Sequence, residues 1–262
     1  MFAIFKRLRR KRILQQPFPI AWRPILLRNV AYYCFLTLED QRELEKHIQI
    51  FLAEKSFEGC GGLKITDEMR VTIAAQACIL LLHRKHDYYA GLDSILVYPH
   101  SFWVKRGQVE SAGVVSEFEE ALTGEAWSHG AVVLSWDEIR HTTREPRNGQ
   151  NIVLHEFAHI LDWQDGCSDG APLLESSSGF ISWARILNRE YQALVKADRQ
   201  GKDTLINPYG ATDPAEFFAV VTECFFETPL QFRARHPMLY KKLSAFYCQD
   251  PAAKMAIANL NS

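Results

Sequence analysis

The chain has six cysteines (Cys34, Cys60, Cys78, Cys167, Cys224, Cys248), scattered and with no C-x-x-C pair among them. It therefore offers neither a disulfide framework nor a zinc ribbon, and reduced thiols in a cytoplasmic protein are the simpler account. Long apolar runs are also missing. The most apolar stretch, residues 71–82, is interrupted by Thr72 and Gln76 and is well short of the roughly 20 residues that span a bilayer. Net charge is scarce as well: the formal balance of −1 gives no global case for nucleic-acid binding or an acidic partner. Internal repeats and low-complexity linkers are absent.

Charge of one sign does gather at one place, where Lys6, Arg7, Arg9, Arg10, Lys11 and Arg12 follow the short apolar segment 2–5. A secretory signal needs the opposite order, with charge before a longer apolar region, so export is not expected. The run reads as a solvated, fraying terminus, with an anionic membrane surface or nucleic acid as the alternatives.

What is present is core. An apolar fraction of 47% over 262 residues supports one large domain or two small ones. Residues 13–34, with Pro17, Pro19 and Pro24, read as an irregular lead-in. Thr37 with Asp40 three residues on caps a helix through about Lys55, and Cys60-Gly61-Gly62 breaks it. Thr66, followed by Asp67 and Glu68, opens a very apolar helix expected to reach His86. His83 and His86, at its C-terminus, are expected to meet the helix dipole or solvent and not a metal. Residues 94–98 and 131–136 read as strands of a small sheet, and 141–150 as a loop. Asp165 to Gly170 form a turn, residues 180–197 a helix, and Asp213-Pro214-Ala215-Glu216 starts another through Phe226: Asp as cap, Pro at the first helical position. A last helix covers about 238–247.

The chemistry centres on His155-Glu156-Phe157-Ala158-His159, set within the apolar residues Ile152, Val153, Leu154, Ile160 and Leu161. Two histidines four apart share one helix face and can offer nitrogens to a single zinc ion, with Glu156 beside it as proton acceptor from a metal-bound water. This is the H-E-x-x-H pattern of zinc peptidases. A hydrolytic zinc needs a third protein ligand and an open position for water. Asp165 stands six residues after His159, where metzincins place a ligand, but Asp162 occupies the position at which their turn needs glycine. Asp162 is better suited to accept a hydrogen bond from a ligand imidazole. Glu216 and Glu223, seven apart on one helix face, are the remaining candidates, and spacing leaves both open. Glu216 could instead be a capping side chain bonded to the Asp213 amide, and Glu223 a solvated or supporting carboxylate.

The string from His155 to Asp162, together with Asp213 to Glu216, Tyr209, residues 66–70 and residues 133–136, resembles the Mlc titration factor A family of bacterial zinc peptidases, distantly similar to the catalytic domain of anthrax lethal factor. The resemblance covers most of the chain after about residue 60. It implies an α+β fold, a mostly helical zincin-like metallopeptidase domain with a small sheet beside the motif helix, over residues 61–262; residues 1–60 would be a basic tail and helical lead-in. It further implies Glu216 as third ligand to one zinc ion with His155 and His159, and Tyr209 as the side chain that stabilises the transition state beside the base Glu156. The expected activity is peptide-bond hydrolysis of an aminopeptidase kind on a peptide substrate, by a cytoplasmic protein, monomeric by preference, without direct nucleic-acid binding or a transmembrane segment. The resemblance also implies a regulatory alternative, a protein that sequesters the transcriptional repressor Mlc in sugar-uptake control. A purely structural zinc site fits poorly, since such sites are usually closed by four ligands.

Overall fold

The computed structural model describes residues 2–100, 103–109, 115–121, 130–144, 148–173 and 177–260. Its architecture is α+β and mostly helical. Three strands, β1 (Ser56–Gly59), β2 (Ser94–Tyr98) and β5 (Ala131–Ser135), form a parallel sheet in the order β1-β2-β5, with Phe57 opposite Ile95 and Leu96 opposite Val133. β3 (Trp103–Val109) and β4 (Val115–Ala121) make a separate antiparallel pair. β5 is an edge strand of its sheet and also touches the motif helix α6 (Ile152–Asp162).

The expected helices form where their caps lie. The Thr37 hydroxyl accepts from the Asp40 amide (3.1 Å) at the start of α3 (Leu38–Glu54), and Thr66 from the Met69 amide (3.3 Å) at the start of α4 (Asp67–Ile79). α4 ends earlier than its apolar run suggests. The chain turns at Leu80–Leu82 and takes left-handed backbone at His83, Tyr88, Tyr89 and Gly91, where the His83 amide donates to Glu43 (3.0 Å) and the Tyr89 hydroxyl to the Ala77 carbonyl (2.6 Å). His83 does not meet bare solvent: it pairs with Asp40 (3.1 Å) and Glu43 (3.2 Å), while His86 packs edge-on against His47 and Tyr88.

The N-terminal expectations need correction. Residues 2–13 do not fray but form helix α1 (Phe2–Ile13), and the lead-in contains α2 (Arg23–Asn29). Pro24 reads as a breaker only if its position is unknown; at the first turn of a helix its missing N–H costs nothing. Proline likewise opens α8 (Pro214–Glu227), α9 (Pro229–Arg235), α10 (Pro237–Tyr247) and α11 (Pro251–Leu260). Residues 136–144, partly assigned to a loop, form α5 (Trp136–Arg144), and the helix after the turn is α7 (Ser177–Arg199).

One core joins these elements. Leu26, Leu44 and Phe51 are buried in the same cluster as Val153, Phe157, Phe218 and Leu243, and Phe51 and Tyr89 both pack on Phe157 of the motif helix, ring centroids 5.8 and 4.8 Å away. No helix among the described residues is long and apolar enough to cross a membrane.

Candidate metal centre

α6 begins at Asn151, whose side chain accepts from the Leu154 amide (3.1 Å). Every residue from Val153 to Asp162 is buried, so packing fixes both imidazoles. The Nε2 atoms of His155 and His159 stand 3.2 Å apart, as four-residue spacing allows. α8 lies against α6 and brings the Glu216 carboxylate in: its Oε2 is 3.0 Å from His155 Nε2 and 3.5 Å from His159 Nε2. Ligand atoms held about 2.0–2.2 Å from a tetrahedral ion are separated by roughly 3.3–3.6 Å; of the three observed separations, 3.5 Å lies in that range and 3.0 and 3.2 Å lie a few tenths of an ångström below it, close to one face of a zinc shell.

The donor chemistry fits as well. Glu223, one heptad after Glu216, is buried on the other side of the same ring and accepts from His155 Nδ1 (2.8 Å). That bond keeps the Nδ1 proton in place and turns the Nε2 lone pair toward His159 and Glu216. Two lone pairs and a carboxylate oxygen aimed at one point repel unless a cation or a proton sits between them. Glu223 also accepts from the Asn151 amide (2.5 Å), and Glu227 accepts from the Asn151 side chain (2.9 Å), so α8 holds the start of α6 as well as its first histidine. Asn151 and Glu227 carry no signal as site residues in the sequence, although an asparagine ahead of an apolar run is a cap signature.

The N-terminus of α8 is set by its own cap. Asp213 accepts from the Glu216 amide (2.9 Å), but the Glu216 side chain does not close a capping box; it turns to the histidines. Asp162, expected behind a ligand imidazole, instead accepts from the Gly170 amide (2.9 Å) and so ties the following loop to the end of α6. Gly170 has φ +74°, its carbonyl accepts from the Trp183 indole (3.1 Å), and a Cβ there would lie 2.3 Å from the Pro214 carbonyl oxygen. Only glycine lets this loop press on the first residue of α8, two positions from Glu216. Asp165 bonds instead to the Cys167 amide (3.0 Å), away from the histidine pair.

Glu156 is fully buried, and neither carboxylate oxygen has a hydrogen-bond partner among the described residues. Burial pushes its pKa up to about 8; His155 opposes the shift, and Glu216 and Glu223 add to it. For Glu216, burial acts upward but hydrogen bonding to His155 and His159 wins, bringing it down to about 2. His155 loses by burial and gains more from Glu216 and Glu223, ending well above the usual histidine range. Both raised groups bind protons more tightly folded than unfolded. Their contribution is complete below the unfolded pKa and is lost as pH rises through the folded one. The metal-free protein is accordingly expected to lose thermal stability as pH rises from 5 to 8.5. Glu156→Gln, which cannot ionise, is expected to remove roughly 4 kcal/mol of that loss, at about 1.36 kcal/mol per pKa unit over about three units; thermal melts of the chelated proteins across this range check it, and equal slopes would contradict it.

Tyr209 sits on the short turn Pro208–Ala211, where the Asn207 side chain accepts from its amide (3.0 Å). Its ring centroid is 6.1 Å from that of His155, and half of the residue (50%) is exposed. Burial of the hydroxyl end, with Glu216 and Glu156 nearby, raises the phenol to about 12 and keeps it a donor. The structure thus gathers His155, His159, Glu216 and Tyr209, with Glu156 on the same helix, and adds Glu223 behind His155. The described residues hold one other histidine–carboxylate group of this size, Asp40, Glu43 and His83, and there the Lys254 ammonium already bonds Asp40.

The chain is similar to known proteins over most of its length. Residues 5–248 match the family described as "Glucose-regulated metallo-peptidase M90". An uncharacterized protein of Synechocystis is 40% identical over 244 residues, covering 93% of this chain and 89% of its own. Mlc titration factor A of Klebsiella pneumoniae is 32% identical over 222 residues, covering 84% and 83% of the two chains. The protein of the same name from Serratia proteamaculans is 32% identical over 222 residues, with 82% and 84% covered.

Proposed function

The chain belongs to the glucose-regulated metallopeptidase family, and on that premise we propose that it is a zinc-dependent peptidase, aminopeptidase-like in preference, acting as a cytoplasmic monomer. One observation carries the reading: His155 Nε2, His159 Nε2 and Glu216 Oε2 converge within 3.0–3.5 Å of one another inside a buried helix pair. These three side chains would hold one zinc ion. When bound, it supplies Lewis acidity toward the scissile carbonyl and acidifies a water. Glu156 takes the proton from the attacking water and passes it to the leaving amine; its buried position, free of competing hydrogen bonds among the described residues, leaves the carboxylate available for that exchange. Glu223 holds His155 in the tautomer that frees Nε2. Tyr209, protonated and half-exposed, donates to the oxygen on which charge develops. The outer edge of β5 is the candidate rail for an extended substrate backbone, added as a further strand.

The direct test is hydrolysis of aminoacyl anilides and short peptides, abolished by a chelator and restored by zinc; a rate indifferent to chelation would refute the reading. Tyr209→Phe is expected to lower kcat by about 10²–10³, since the oxyanion donor is lost, with metal content kept because the ligand atoms of His155, His159 and Glu216 are untouched. Unaltered turnover would remove Tyr209 from the mechanism.

A second reading is favoured by the relatives named Mlc titration factor A. On it, the chain binds a transcriptional repressor of the Mlc kind, through surface that the metal centre does not supply. Complex formation, followed by analytical size exclusion with purified repressor, should then survive Glu156→Gln. A complex that requires an intact Glu156 would make the repressor a substrate and not a partner.

A further inference from the structure

Helix α1 is mounted with its charged side inward. Lys6 and Arg10 face the body of the protein: Lys6 pairs with Asp87 (2.7 Å), and Arg10 makes a two-pronged bond to Glu54 (2.8 and 2.7 Å), pairs with Asp87 (2.8 Å) and lies 4.4 Å over the Tyr88 ring. Arg9 donates to the Ala53 carbonyl (2.8 Å), and Ile13 packs on the core. The opposite face carries the apolar residues. Ile4 and Leu8, one turn apart, are 65% and 58% exposed, and Phe5 beside them is 64% exposed. Arg7, Lys11 and Arg12 are exposed around this stripe. A surface helix of a globular protein normally buries its apolar side and solvates its charges. α1 instead leaves an apolar stripe in solvent while Lys6 and Arg10 turn inward, and four separate polar contacts to α3 and the 87–88 turn hold it that way.

We propose that the outer face of α1 is a docking surface for an anionic lipid bilayer. Ile4, Phe5 and Leu8 enter the boundary between headgroups and acyl chains, and Arg7, Lys11 and Arg12 meet lipid phosphates. Charge complementarity selects this occupant: on a chain of net charge −1, Arg7, Lys11 and Arg12 stand exposed on the outer face while Lys6 and Arg10 are ion-paired to the body, and an apolar stripe beside these three cations suits a lipid interface better than the groove of a nucleic acid. Because Arg10 and Lys6 are engaged with the protein, the helix would dock as a rigid part of the fold and not as a released tail.

Co-sedimentation of the 262-residue chain with vesicles tests this. The expected result is binding to phosphatidylglycerol-containing vesicles, at least tenfold weaker binding to phosphatidylcholine alone, and several-fold weakening in 0.5 M salt. The triple variant Ile4→Ser/Phe5→Ser/Leu8→Ser should lose at least a hundredfold in partitioning. Arg7→Glu/Lys11→Glu/Arg12→Glu should lose the preference for anionic lipid. All six side chains are exposed, so circular dichroism of both variants should match the parent. Failure to bind anionic vesicles would overturn the proposal, as would equal binding to both lipids or unchanged binding of the serine variant. So would self-association by the parent that the serine variant abolishes, which would assign the face to a second copy. Tight binding of an oligonucleotide duplex that the serine variant retains would assign the basic residues to nucleic acid instead.

Discussion

Glu156→Gln is expected to lower kcat for peptide hydrolysis by about 10²–10⁴ while bound metal and KM stay within about twofold of the parent. The size follows from what the residue touches. Glu156 is fully buried, and neither oxygen has a hydrogen-bond partner among the described residues, so glutamine fills the same space without breaking a contact. What it cannot do is accept a proton. The metal-binding atoms belong to His155, His159 and Glu216 and are untouched. Steady-state kinetics with metal analysis on the same sample separates the cases: full activity would take the base role away from Glu156, and loss of metal would make it part of the binding set.

Glu216→Ala is expected to abolish stoichiometric zinc binding, whereas Glu223→Ala should keep the ion with affinity reduced about 10- to 100-fold. The two carboxylates stand at opposite nitrogens of one imidazole. Glu216 Oε2 faces Nε2 at 3.0 Å, and Glu223 Oε1 accepts from Nδ1 at 2.8 Å. Removing the first leaves two ligands. Removing the second leaves three, but frees His155 to change tautomer and unties the Asn151 cap that starts α6. Zinc competition with a chromophoric chelator measures both. Loss of zinc in the Glu223 variant with retention in the Glu216 variant would exchange their roles.

How much of this could be read from the sequence depends on which residues decided it. α6 was legible because an apolar run and histidines four apart demand the same helix, and α8 because Asp213-Pro214-Ala215-Glu216 is a strong start signal. Glu216 and Glu223 could not be told apart by spacing. Seven residues separate them by about 10 Å along the axis yet leave them on one face, and only the packing of α8 on α6 fixes which carboxylate meets which nitrogen. β1 escaped because Ser56-Phe57-Glu58-Gly59 is too short for a period and its pairing with β2 is non-local. α1 escaped because its helix is inverted: apolar residues face outward and ion pairs to Asp87 and Glu54, far along the chain, fix its position. Asp162 was misplaced because its partner, the Gly170 amide, belongs to a turn whose shape depends on a left-handed glycine pressed against Pro214.

Diffraction from crystals grown with zinc, with anomalous data collected across the zinc edge, tests the central claim most directly. The account predicts a single strong peak about 2.0–2.2 Å from His155 Nε2, His159 Nε2 and a Glu216 oxygen, with one coordination position left to solvent. A peak at Asp40, Glu43 and His83 alone, or a closed site with four protein ligands, would contradict it.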